Sequence, residues 1–321
     1  MPGRGTRRAL IAIAVAAASL AAGGCAGDDQ SPVEGGTAGA SGAGGVLTWA
    51  LADRPAGLDP LLATSRSDQL VTRQVHEPLV EDLAPPFGAA RRVPGLAASS
   101  GPDAGFTIWR FGLRQGVRFQ DGTPFNAGAV LANAERWRTT TAGRELLPDL
   151  FAADAPRPDL VRFFLDRPDP DFPDRLADPR LGIVSPRALQ PHSGTGARMA
   201  REVRSGSGPF ELRESDAGGA LVARNLTWWG TERGLGPALD QVEFRVSTGA
   251  DGRLALLEAG DVQVAEALGP AEARDARRDP LLAVLRGGGN SLGLERSVRG
   301  IDSASEIPSL SGVWVARVGR G

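Results

Sequence analysis

The sequence predicts an α/β protein of mixed sheets with flanking helices, and three observations carry that expectation. Trp109, Phe111 and Leu113, like Val242, Phe244 and Val246, alternate with polar or small residues at the period of a strand. Ala127, Val130, Leu131, Ala134 and Trp137 recur instead at helical spacing along one face. Helix and strand patterns then follow one another along the chain, as in the strand, helix and strand read between Val242 and Val264, which is the succession expected where helices pack on sheets.

Size and composition bound the reading. A chain of 321 residues suffices for roughly two domains of ordinary size. With 41 % hydrophobic and 23 % charged residues it is globular in composition. A net charge of -2 and scattered arginines give no reason to expect a nucleic-acid partner. The chain holds no Lys and no Tyr, which removes a phosphate-loop lysine, a Schiff-base lysine and any tyrosine acid or base. His192 lies in a Pro-His-Ser-Gly loop, and no nucleophile, base and orienting acid occur in a recognisable context. An enzyme and a cofactor are therefore not expected.

The first residues read as an export signal over 1–24. Arg4, Arg7 and Arg8 precede an apolar run from Ala9 to Ala22 that is too short for a comfortable membrane span. Thr6 to Ile11 also fits a twin-arginine pattern, and the Sec and Tat routes both stay open. Ala22-Gly23-Gly24-Cys25 resembles a lipobox. Cys25 is the single cysteine, so no intramolecular disulfide forms, and lipidation there is expected. The segment 25–45, nearly all small and polar, reads as a flexible linker holding an exported domain at the outer face of the membrane.

Order is expected from Val46, where Leu47, Trp49 and Leu51 alternate as a first strand. Leu70, Val71, Val75 and Leu79 give the next helix its buried stripe. Two short strands follow, at Trp109–Leu113 and Val117–Phe119, before an Asp121-Gly122 turn. Asn126 caps the helix beyond it, and Phe125 and Val130 are spaced for a hydrophobic staple. From Thr139 to Pro191 frequent Xaa-Pro steps predict mostly loops, with one strand at Leu160–Leu165. Asp166, Asp169, Asp171, Asp174 and Asp178 lack the ligand and glycine spacing of a calcium loop and are interleaved with arginines. A solvated acidic-basic loop is expected there, and no metal. Phe210 to Ala223 reads as a hairpin about Gly218-Gly219. Val242–Val246, a helix carrying Leu254 and Leu257, and a strand holding Val262 and Val264 come after it.

Four segments carry a family resemblance. Leu113, Arg114, Gly116, Val117, Phe119, Asp121 to Phe125, Ala127 and Val130 match the pattern LRxGVxFxDGTPFxAxDV of the family 5 extracytoplasmic solute-binding proteins, the peptide-binding subunits of ABC importers. The match departs at Gly128 and Ala129, where relatives carry acids in the first helical turn. Leu58-Asp59-Pro60 with Glu77-Pro78-Leu79-Val80 resembles the N-terminal signature, His76 replacing its usual aromatic. Gly206 to Gly230 is similar to the family hairpin ending in YWG, and Gly260-Asp261 to its GxxD segment.

The resemblance implies a periplasmic-binding-protein type II-like fold, and it runs from Val46 to about Leu294 before the pattern breaks off. In relatives a further lobe follows there and forms one jaw of the cleft, so the expectation is a shortened form with one lobe missing. Ser309 to Val315 is loosely similar to the strand that returns to the first lobe. The implied organisation is a hinge-side lobe of 46–53 plus 195–321 and an inserted lobe of 54–194. The implied function is a lipid-anchored binding component of an importer, taking a peptide or another small solute and working with permease subunits. The alternative is a degenerate or repurposed lipoprotein acting through protein contacts, with a partner chain over the surface of the missing lobe. Trp228, Trp229 and His76 are the candidate ligand-binding residues. Packing roles compete for all three, beside the hairpin for the tryptophans and in an aromatic position for His76.

Overall fold

The computed structural model describes residues 44–83, 91–190, 205–287, 290–295, 298–299 and 314–315. Cys25, the export signal, the linker up to residue 43 and His192 lie outside them.

A seven-stranded mixed sheet, in the order β12-β13-β11-β1-β10-β9-β8, forms the larger body. Its centre is β1 (Val46–Leu51), which pairs in parallel with β10 (Gln241–Val246) on one side and β11 (Val264–Leu268) on the other. The expected hairpin forms as β8 (Phe210–Asp216) and β9 (Gly219–Arg224), and β9 runs antiparallel to β10. At the far edge β12 (Leu282–Gly287) and β13 (Asn290–Glu295) complete the sheet.

The first strand forms as expected, with Leu47, Trp49 and Leu51 on one face, and its other face is covered as well, Thr48 and Ala50 being buried there. Leu47, Trp49 and Leu51 enter one core together with Leu70, Val71 and Val75 of α1 (Arg66–Val75). Ala50 enters the opposite core with Leu254 and Leu257 of α5 (Ala250–Ala259) and Ala273 and Ala276 of α6 (Pro270–Ala276). Thus α1, expected with the inserted lobe, packs on the large sheet. It also ends before Leu79, which belongs to the other body's core. The helix start is specified locally: Ser65 accepts from Asp68 N, and Asp68 reaches back to Ser65 N.

The smaller body is a four-stranded antiparallel sheet in the order β4-β5-β7-β6: β4 (Ala97–Pro102), β5 (Ile108–Leu113), β6 (Leu150–Arg157) and β7 (Leu160–Leu165). Here the period-two reading holds. Trp109, Phe111 and Leu113 face inward opposite Phe163 and Val161, against Trp137 of α2 (Ala127–Thr139) and Phe172 of α4 (Phe172–Arg175). Asn126 Oδ1 accepts from Ala129 N at 3.1 Å, as expected of the cap, and Phe125 and Val130 are buried in one cluster.

Two local expectations are corrected. Val117–Phe119 is not a strand: Arg118 makes an isolated bridge to Pro124 within the turn, and both apolar neighbours are buried in the core. The stretch after Thr139 is also more regular than its prolines suggested, since α3 (Thr141–Leu146) and β6 both lie in it. Its aspartates form ion pairs, Asp169 with Arg175, Asp178 with Arg180 and Asp174 with Arg92. Trp314–Val315 pairs with Val298–Arg299 and joins neither larger sheet; the rest of 309–315 lies outside the described residues.

The chain passes between the two bodies at His76–Leu79 and again at 205–209. Gly208 N donates to Val75 O at 2.9 Å and Gln120 N donates to Gly206 O at 2.8 Å, so the two crossings lie side by side. The approach requires glycine: a Cβ on Gly206 would stand 1.8 Å from Val75 O.

Candidate functional site

The crossing brings together all three residues singled out from sequence. His76 is fully buried; its Nε2 lies 2.9 Å from Ser205 Oγ, and Gly182 packs against its Cβ. Burial, reinforced by the charge of Arg136, lowers its pKa to about 4, so it is neutral at physiological pH. Trp228 is 6 % exposed and Trp229 half-buried, and their rings meet at 5.4 Å. Both indoles donate to Glu77: Trp228 Nε1 to Oε1 at 3.0 Å, and Trp229 Nε1 to both oxygens at 3.0 Å. Ser207 Oγ donates to Glu77 Oε2 at 2.9 Å.

In the sequence Glu77 stands only as part of the Glu77-Pro78-Leu79-Val80 motif. It is instead the knot of the junction, a carboxyl receiving donors from the return crossing and from the tryptophan loop. Burial first, then the charge of Glu81, raises its pKa to about 8, and the three donors act against that rise. His76 and Trp228 thus hold the two bodies together and present little or no surface to a ligand. Trp229 alone keeps an exposed portion.

A second polar cluster, buried beneath an exposed rim, lies at the carboxyl ends of the parallel strands β1, β10 and β11, where ligands of α/β sheets gather. The N-terminus of α1 arrives at the same edge. Glu266 on β11 is 1 % exposed, and its Oε1 accepts from Ala52 N at 2.8 Å and from Ser67 Oγ at 2.5 Å. Its Oε2 makes no hydrogen bond among the described residues, and half-buried Arg66 stands over it with Nε at 3.8 Å. Burial raises the Glu266 pKa, with the bonds from Ser67 and Ala52 opposing.

Behind Glu266 the backbone is irregular. Ala267 has φ 50°, sparsely populated for a residue with a Cβ, and the register with β13 slips between Ala265 and Leu268. Arg253 of α5 holds that shape from below. Its guanidinium is 3 % exposed and donates to Glu266 O at 2.7 Å, Ala267 O at 2.8 Å and Ser247 O at 2.6 Å. Asp53 and Arg54 stand exposed at the rim. Of these residues only the placement of ionisable Glu266 within the apolar run VAEAL could have been noticed in sequence; Arg66, Ser67 and Arg253 carry no local signal. Among the described residues no cluster of His, Cys, Asp and Glu is arranged to hold a metal.

A mixed sheet covered on both faces, a second body inserted through a double crossing, and a polar strand edge with a buried carboxylate define an α/β binding protein. Comparison with known proteins gives the family. The model of the bacterial extracellular solute-binding proteins, family 5 middle, matches residues 91–297, and the chain belongs to that family. It is 30 % identical over 227 residues to the probable D,D-dipeptide-binding periplasmic protein DdpA of Escherichia coli K12, covering 70 % of this chain and 43 % of that protein. To the glutathione-binding protein GsiB of the same strain it is 32 % identical over 162 residues, 48 % of this chain and 29 % of that one.

Among solved structures, the binding protein AgaA of A. tumefacien R10, in complex with agropinic acid, aligns with TM-score 0.67 and 25 % identity over 76 % of this chain and 48 % of its own. DppA of Helicobacter pylori, in complex with the peptide STSA, aligns with TM-score 0.65 and 22 % identity over 75 % of this chain and 50 % of its own, a likeness of fold. The chain thus spans less than half the length of the curated relatives described. Members of the family are transport binding proteins and not enzymes. Among the described residues no helix is long and apolar enough to cross a membrane.

Proposed function

We propose that the chain is the substrate-binding component of an ABC-type importer, taking a peptide or another small solute at the carboxyl edge of β1, β10 and β11. The observation that carries this reading is that edge itself, where exposed Asp53 and Arg54 and half-buried Arg66 stand above the buried Ser67–Glu266 pair at the N-terminus of α1, in a member of a solute-binding family. Relatives described as binding D,D-dipeptides, glutathione and a tetrapeptide favour a peptidic ligand. Trp229, half-buried, is the one of the three sequence candidates kept as a ligand contact; His76 and Trp228 act by packing. Burial of a ligand also needs a surface opposite this edge, from a further lobe or from a partner chain.

For the organisation of the chain we propose the division into 46–53 with 195–321 and 54–194, with α1 assigned to the large sheet on which it packs. The export signal over 1–24 and a diacylated Cys25 would place the protein at the outer face of the membrane, beside the permease subunits; loss of membrane association in Cys25→Ser tests that step. The binding reading is tested by thermal denaturation with dipeptides, tripeptides and glutathione. A melting temperature that climbs with the logarithm of peptide concentration is expected, and a flat response to every peptide counts against it.

A further inference from the structure

We propose that the guanidinium groups of Arg114 and Arg233, set around the Trp229 indole, form a site for a small oxyanion bearing carboxylate or phosphate oxygens. The site lies at the junction of the two bodies and is independent of the ligand reading at the strand edge. Arg114 follows β5 of the smaller body; its Cζ lies 4.2 Å from the centre of the Trp229 ring. Its Nε donates to Gly95 O at 2.6 Å and its Nη2 to Pro94 O at 3.2 Å, which fixes the group while leaving other N–H donors unused. Arg233 comes from the loop after β9 on the large body, is exposed, and places its Cζ 5.6 Å from the same ring.

Many arginines of this chain stand beside an acid, as in Arg73 with Glu81, Arg175 with Asp169 and Arg245 with Glu243. Here neither guanidinium has an ion-pair partner among the described residues, although Glu232 is next to Arg233 in the chain. Both guanidinium groups lie against one indole, and burial, then the charge of Arg233, lowers the Arg114 pKa, with the charge of Glu77 opposing. The acid beneath is Glu77, already engaged by both indoles and Ser207 and kept largely neutral up to about pH 8 by burial and by Glu81. An oxyanion relieves the repulsion and accepts the unused N–H groups in the bidentate manner for which planar guanidinium is suited. Because the two arginines belong to different bodies, the bound anion staples the junction.

The test uses the full chain at pH 7 and constant ionic strength, titrated calorimetrically with malonate and, separately, with inorganic phosphate. Saturable binding of at least one anion, a matching rise in melting temperature and a loss of about tenfold or more in affinity in Arg233→Gln are expected, since one charge-assisted partner is removed. Arg233 is exposed, so its variant folds; Arg144→Gln, an exposed arginine on α3, leaves binding unchanged. Tighter malonate assigns a carboxylate ligand, tighter phosphate a phosphorylated one. Absence of saturable binding by either anion overturns the proposal, as does equal affinity in wild type and Arg233→Gln, or an equal loss in Arg144→Gln.

Discussion

Glu77→Ala lowers folding stability by about 3–5 kcal/mol, read from urea denaturation at pH 7, because two indole N–H groups and a hydroxyl lose their shared acceptor, mostly out of reach of water. Glu77→Gln keeps one acceptor oxygen and should cost clearly less. The two variants also separate charge from hydrogen bonding, since the folded protein holds this carboxyl protonated up to about pH 8, against 4.5 for the free group. Between those values the folded state binds the extra proton, so the contribution is complete below 4.5 and is lost as the pH rises toward 8, at up to about 1.4 kcal/mol per pH unit.

His76 acts with the opposite sign. Its folded pKa of about 4 against 6.5 means that its contribution is present above 6.5 and lost as pH falls toward 4. The two effects oppose each other between 4.5 and 6.5, and the Glu77 contribution to the decline continues alone from 6.5 toward 8. Stability measured over pH 6.5 to 8 should therefore fall in the wild type and fall less in Glu77→Gln. Equal slopes in the two proteins would show that Glu77 is already ionised in the folded state.

Phe111→Ala is expected to cost about 3–5 kcal/mol, the range for emptying a large aromatic site. Phe111 is fully buried on β5 and touches Phe163 at 5.5 Å, Phe172 at 6.3 Å and Trp109 at 6.4 Å between ring centres. Its neighbours come from a strand, a short helix and its own strand, so no single side chain can swing in to fill the space. Phe151→Ala removes the same atoms from a position 48 % exposed and should cost about 1 kcal/mol or less, since about half of that surface is already in water. A difference of less than about 1 kcal/mol between the two variants would contradict this placement of the smaller core.

Much of the fold could be read from the sequence wherever pattern and burial coincide. β5, β7, α2 with its Asn126 cap and the β8–β9 hairpin each carry a period that their one-sided burial enforces. The errors arose where that link fails. β1 was read correctly from Leu47, Trp49 and Leu51, but the burial of its second face at Thr48 and Ala50 leaves no apolar signal. Val117 and Phe119 alternate because a turn inserts both into the core, without a partner strand. β6 is an edge strand with an exposed tail, which leaves no apolar rhythm to detect among the prolines.

The candidate site was less visible, for a physical reason. Glu266 meets Ser67 across 199 residues of sequence and Glu77 meets Trp228 across 151, so both centres are made by tertiary pairing. A motif scan could place Trp228, Trp229 and His76 near one another in function. It could not show that both tryptophans donate to the Glu77 carboxyl while His76 turns to Ser205.

The most direct test of the central claim is native mass spectrometry of the full chain, purified without denaturation and then mixed with di- and tripeptides. Solute capture predicts one small adduct per chain, either co-purified or formed on mixing and displaced by competing peptide. A chain that arrives bare and stays bare with every peptide offered contradicts it.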